Sequence, residues 1–404
     1  VPPLLLRDLA QVATPAARGA AARGEELRRV EVLEDAYVLC DGEAIRAVGR
    51  MRDLAPLGEE VEELDCSGLC AVPGLVDCHT HPAFGGDRVA EFSLRAGGAG
   101  YEELHAAGGG ILSTVQATRS LPAVELEARV ERHARWMLVH GTTSWEGKSG
   151  YGLDHDTELA SLRAVRAAGG TPTWLGAHSV PPEQPGADAY LDFVLEEVLP
   201  EAAALADAAD VFLERGAFDE RQARRYLTGC RDAGLALRLH GDQFTESGAI
   251  PLAIELGARS VDHLEATQAD GVRALAASDV AAVLLPASAL FLDRPMPPAR
   301  ALADAGAVVA LATDFNPGSA FTTSLPLVAS LACTQLHLAP EEVLVALTLN
   351  AAHVAGFARA GRLAPGAASD VTLLDAPDWR YLAYHLAGDL VHTVVRGGSV
   401  AHRR

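Results

Sequence analysis

The chain is poor in the features that would place it in several common classes. No apolar run approaches the ~18 residues needed to span a bilayer. Residues 1–24 carry only the short Leu4-Leu5-Leu6 run before an Ala/Arg/Gly stretch, so neither a membrane span nor a signal peptide is expected. Cysteine is scarce, with six at positions 40, 66, 70, 78, 230 and 333 and no Cys-x-x-Cys pair among them. That argues against a disulfide framework and for free thiols in a reducing cytoplasm. Positive charge is also short, 33 Lys plus Arg against 54 Asp plus Glu, for a net charge of −21. Such a field repels phosphates, which disfavours nucleic acid and anionic membranes as partners. A small anionic substrate would need its own local cation. No internal repeat of short period is visible.

What is present is ample core. At 404 residues with 49% hydrophobic content, the chain suits one large barrel plus a smaller appendage. Residues 1 to about 70 read as short strands and hairpins, including Val30–Leu33, Ala36–Leu39 and Ala44–Val48 around an Asp41-Gly42 turn. From Leu75 the texture changes to apolar strands alternating with Ala-rich amphipathic helices. After the opening strand come Thr142–Glu146, Thr171–His178, Asp210–Glu214, Ala236–His240, Ser260–His263, Val280–Leu285 and Val308–Asp314. Eight such units predict an α/β fold, a closed TIM-like (β/α)8 barrel. Two insertions, Gly85–Arg119 and Phe315–Ser324, lengthen its connections. Strand texture returns in Val371–Leu374 and Leu390–Arg396. The two ends are expected to pair as a small β-sandwich domain of residues 1–72 plus 365–404, with the barrel at 73–364 between them.

The stretch Pro73-Gly-Leu-Val-Asp-Cys-His-Thr-His81 opens the barrel. Side chains alternate along a strand, so His79 and His81 share a face and can converge on one ion. An isolated His-x-His matches often by chance, but this one has company. His178, His240, His263 and Asp314 end the third, fifth, sixth and eighth predicted strands, where such barrels carry their chemistry. Imidazoles with a carboxylate suit Zn²⁺ or iron better than the oxygen-seeking Mg²⁺ or Ca²⁺. A divalent ion with one carboxylate leaves the site positive, which favours a deprotonated water near neutral pH.

Three words in the sequence carry a resemblance: residues 73–81, Lys-Ser-Gly-Tyr-Gly-Leu at 148–153 and Asp-Phe-Asn-Pro-Gly-Ser at 314–319, with Gly-Gly-Gly-Ile at 108–111 and Ala-Thr-Arg at 117–119 in support. With them the chain resembles the amidohydrolase superfamily and, within it, the imidazolonepropionase family. The resemblance implies hydrolytic opening of 4-imidazolone-5-propanoate to N-formimidoyl-L-glutamate, in histidine degradation, by metal-activated water. It implies that His79, His81, His240 and Asp314 hold one Zn²⁺ or iron ion per chain. It implies that Arg88, Tyr151, His178 and Gln243 contact the substrate, that Asn316, Gly318 and Ser319 line the product side, and that His263 assists Asp314 in proton transfer. Gln243 stands where a glutamate would serve as a general base, so binding alone is expected of it. Glu214 stands where a lysine would end the fourth strand, against a carbamylated two-metal site. Lys148 is read as structural. A cytoplasmic homodimer follows by the same analogy. The chemistry fits these residues: a planar guanidinium at Arg88 matches a propionate in bidentate fashion. The rivals are an aromatic-base deaminase, which needs no cation for an acidic tail, and a metal-free relative, which would lack ligands.

Overall fold

The computed structural model describes residues 2–57, 60–98 and 109–404. Eight parallel strands form one sheet in sequential order: Leu75–Asp77, Thr142–Lys148, Thr171–Ala177, Ala208–Leu213, Ala236–Gly241, Ser260–His263, Ala281–Leu284 and Val309–Leu311. Helices follow the strands and bury their apolar faces against the outside of the sheet. His155–Ala167, for example, contributes Leu159, Leu162 and Val165, and Glu220–Asp232 contributes Ala223, Tyr226, Leu227 and Cys230. This is a TIM-like barrel. Its seam, between the first and last strands, is closed beyond the strand ends by a parallel bridge between Thr80 and Phe315. There the His81 amide donates to the Phe315 carbonyl at 2.8 Å and the Asp314 amide to the His79 carbonyl at 3.1 Å.

A second, mixed sheet of eight strands joins the two ends of the chain. Leu4–Pro15 pairs with Val30–Asp41 and, in parallel, with Glu62–Asp65 and Cys70–Pro73; the last of these pairs with Val371–Leu374. Leu4, Leu6, Leu9, Val38, Val371 and Val395 meet in one buried cluster. The two short strands expected at 30–39 are one strand of 12 residues, Val30–Asp41, which passes through Asp35 at φ 49° instead of ending there. All six cysteines are free. Among the described residues no helix is long and apolar enough to cross a membrane.

The barrel interior is not uniformly apolar. Glu146, Lys148, Asp210, Arg238 and Asp262 are all buried inside it. They form a charged layer beneath the C-terminal mouth, where the strand ends meet.

Candidate metal centre

Four predicted ligands converge at that mouth. His81 Nε2 lies 3.2 Å from His79 Nε2 and 3.3 Å from His240 Nε2, and Asp314 Oδ1 is 3.5 Å from the Nε2 atoms of both His79 and His81. A tetrahedral zinc with ligands at about 2.0–2.1 Å holds its ligand atoms about 3.3–3.4 Å apart. These four separations match the spacing such an ion requires. Three ring nitrogens and a carboxylate oxygen turned on one another are a donor set that suits a cation shared among them. His263 also approaches: His79, His240 and His263 bring ligand atoms within 4.8 Å of one another.

Tautomers are set from behind. His79 Nδ1 is 2.6 Å from Asp262 Oδ2, and His240 Nδ1 is 3.0 Å from Asp210 Oδ2, the latter off the line of a good hydrogen bond. A carboxylate at Nδ1 keeps the proton there and leaves Nε2 free to ligate. Burial, reinforced by neighbouring cations, pushes the His79 and His81 imidazoles well below their ordinary range, so both stay neutral, as ligands must. Burial opposes charge on His263, but the Glu265 carboxylate, 3.5 Å from Nδ1, together with Asp314 and Asp262 outweighs it and raises that imidazole above its usual value. One site thus contains neutral imidazoles beside one biased toward the cation. Backbone strain collects here as well, with φ of 88° at His263, 71° at Leu264 and 55° at Asp314, a left-handed region that non-glycine residues adopt at a cost.

The remaining predicted residues surround this centre. His178 sits one position past its strand, its ring stacked on His81 at 5.6 Å, and its Nδ1 donates to the Gly150 carbonyl at 2.9 Å. Burial and the nearby His240 lower it to about 3. Tyr151 is buried, 5.3 Å from His178 and 6.1 Å from His81 between ring centroids. Its loop turns at Gly150, φ 100°, where a Cβ would lie 2.9 Å from the Leu175 carbonyl. Asn316 is engaged within its own turn: its Oδ1 accepts from the Gly318 and Ser319 amides, each at 2.8 Å, and its Nδ2 donates to the Asp314 carbonyl at 2.6 Å. The Ser319 hydroxyl is 3.3 Å from Asp314 Oδ2, the oxygen turned away from the histidines. Arg88 reaches Gly318, where a Cβ would stand 2.2 Å from its Nη1. Gln243 is buried two residues past its strand.

Sequence reasoning missed the carboxylates that hold these parts. Glu91 takes the Arg88 fork, Nε at 2.8 Å and Nη2 at 2.5 Å, and accepts from the Gly110 amide at 2.8 Å. Glu158 Oε1 accepts from the amides of Gly150, Gly152 and Leu153 at 3.0, 2.8 and 3.0 Å, fixing the Tyr151 loop. Glu214 accepts from the amides of Phe244 and Thr245 and so anchors the loop that follows Gln243. Asp314, expected at a strand end, lies three residues beyond Leu311, because Thr313 is tied to Asp77 through its hydroxyl at 2.6 Å. Gly108 lies outside the described residues.

The amidohydrolase family model matches residues 98–402. The imidazolonepropionase of Rubrobacter xylanophilus is 59% identical over 98% of each chain. This chain belongs to the imidazolonepropionase family. A second member, from Chloroflexus aggregans, is 44% identical, again over 98% of both. Two solved structures share the fold. One is an N-isopropylammelide isopropylaminohydrolase from Burkholderia multivorans, with TM-score 0.70, 22% identity and coverage of 100% and 99%. The other is an adenosine deaminase from Xanthomonas campestris with bound zinc, with TM-score 0.70, 19% identity and coverage of 98% and 92%.

Proposed function

We propose that the chain hydrolyses 4-imidazolone-5-propanoate to N-formimidoyl-L-glutamate, with His79, His81, His240 and Asp314 holding one Zn²⁺ or iron ion. The observation that carries this reading is the spacing of the four ligand atoms, 3.2 to 3.5 Å for each measured pair. When bound, the ion supplies Lewis acidity, lowering the pKa of a water and polarising the ring carbonyl.

The other steps fall to the protein. Asp314 accepts the proton of the attacking water and returns it to the ring nitrogen as the C–N bond breaks. The Ser319 hydroxyl at its second oxygen holds the carboxylate in register for both transfers. His263, raised by Glu265, donates a hydrogen bond to the oxyanion that develops on the former carbonyl. His178 carries its proton on Nδ1, bound to the Gly150 carbonyl, so its Nε2 is an acceptor for a ring N–H. Tyr151 closes over the ring, Gln243 offers its amide to the substrate, and Arg88 receives the propionate. Asn316, Gly318 and Ser319 form the turn against which the product rests. The composite β domain of residues 1–72 and 365–404 around a barrel at 73–364, the cytoplasmic location and the homodimer belong to the same reading; light scattering of the purified protein checks the last.

The experiment is metal analysis joined to turnover of enzymatically generated imidazolone propionate. One ion per chain is expected, with activity lost on stripping and recovered on reloading. Two ions per chain, or full activity in stripped protein, refutes the reading.

A further inference from the structure

Of the 33 Lys and Arg residues in the chain, a single one is lysine, Lys148. It is also wholly buried, in the charged layer under the centre. The composition points to a geometric demand at this position. Arg238 already spans one side of that layer, with Nη1 3.2 Å from Glu146 Oε1, Nη2 3.5 Å from Asp262 Oδ2 and Nη2 2.6 Å from the Cys78 carbonyl. Beside that fork stands a compact ammonium, which meets its partners from a single point: Lys148 Nζ lies 2.8 Å from both Glu146 Oε1 and Asp210 Oδ2, and 3.9 Å from Asp262 Oδ2. Two cations therefore hold three buried carboxylates. Two of those, Asp210 and Asp262, stand behind His240 and His79.

We propose that Lys148 is a positioning residue that fixes Asp210 and Asp262 behind the two histidines and thereby sets how tightly and in what geometry the centre holds its ion. The inference rests on the metal reading above. It makes a prediction opposite in sign to simple electrostatics. A buried ammonium close to a divalent ion repels it, so if charge alone mattered, removing Lys148 would tighten binding. If position matters, removal leaves Glu146 and Asp210 as like charges without their shared cation, the aspartates shift, and binding weakens.

The test compares wild type with Lys148→Met and Lys148→Arg as metal-stripped full-length proteins. Zn²⁺ affinity is read by competition with a chromogenic chelator, and ligand geometry by the visible spectrum of the Co²⁺-loaded form. Loss of supporting groups around metal ligands costs about 10- to 100-fold in affinity. Both variants should lose at least about tenfold and show an altered Co²⁺ spectrum, because arginine keeps the charge but not the fit. Unchanged or tighter Zn²⁺ binding by folded Lys148→Met, or full recovery with arginine, overturns the proposal. Should the variants fail to fold, wild type decides. Protein labelled with ¹⁵N at the lysine side chain gives one Nζ resonance, which must move on saturation with Zn²⁺; a resonance that stays in place overturns the coupling. If wild type itself takes up no Zn²⁺ or Co²⁺, the metal reading has failed, a result distinct from wild type and Lys148→Met binding equally.

Discussion

Replacing Arg88 with methionine tests how an enzyme of charge −21 holds an acidic substrate. The Arg88 side chain is only 16% exposed and its partner Glu91 10%, so a carboxylate reaching the guanidinium meets a largely dehydrated charge. The Nε and Nη2 bonds go to Glu91, and among the described residues no side chain takes the Nη1 edge, which faces Gly318. Arg95, whose Nη2 lies 3.3 Å from the Gly318 carbonyl, adds a second positive charge nearby. A hydrogen bond to a charged group contributes about 1.5–3 kcal/mol, or about ten- to a hundredfold in binding. Arg88→Met should therefore cut kcat/KM on imidazolone propionate by that factor with metal content unchanged. Lysine should restore only part, since it keeps the charge without the fork. Steady-state kinetics on the natural ring and on a ring lacking the tail provide the assay. Equal loss on both rings, or loss on neither, would show that Arg88 does not read the carboxylate.

Further outcomes follow from the geometry. His240→Ala should abolish bound metal and activity together while circular dichroism still reports a folded barrel, since His240 packs at the mouth and not in the apolar shell. Glu158→Ala leaves three amides of the Tyr151 loop without an acceptor; KM should rise about tenfold and stability fall by about 3 kcal/mol, measured by kinetics and urea titration. His133, buried with Nδ1 donating to the Pro82 carbonyl at 2.8 Å, is lowered by burial to about 4. Because the unfolded chain takes up that proton at about 6.5, stability should be full above that pH. It should then fall by up to about 3 kcal/mol as pH drops toward 4. His133→Phe should flatten that slope in thermal melts.

The eight barrel strands and the convergence of His79, His81, His240 and Asp314 were legible because both leave local marks. Apolar runs end in a polar residue at most of the strand termini, and the alternation of a strand fixes which residues share a face. The groups that support the centre leave no such mark. Asp210 and Asp262 lie inside strands as isolated polar residues, and nothing in their neighbours says that one will face His240 and the other His79. Glu91, Glu158 and Glu265 sit on a helix or loop among many other acids, and each is distinguished only by what the fold brings to it. The break expected at residue 34 was misread for a related reason: a polar Glu-Asp pair looks like a turn, but the strand passes through Asp35 in a left-handed conformation.

The seam between the first and last strands has a mechanical consequence. His79 and His81 stand on one lip of it and Asp314 on the other, and Asp77 and Thr313 beside them are 236 positions apart in the chain. An ion shared by these side chains is a clasp across the longest circuit of the barrel, the closure that costs the most chain entropy. Binding free energy at this place becomes resistance to opening. The stripped protein should part here first, with the amides of His81 and Asp314 exchanging hydrogen fastest among the barrel's strand-end amides. Loading the ion should slow them more than the amides of the third and fourth strands, on the far side of the cylinder.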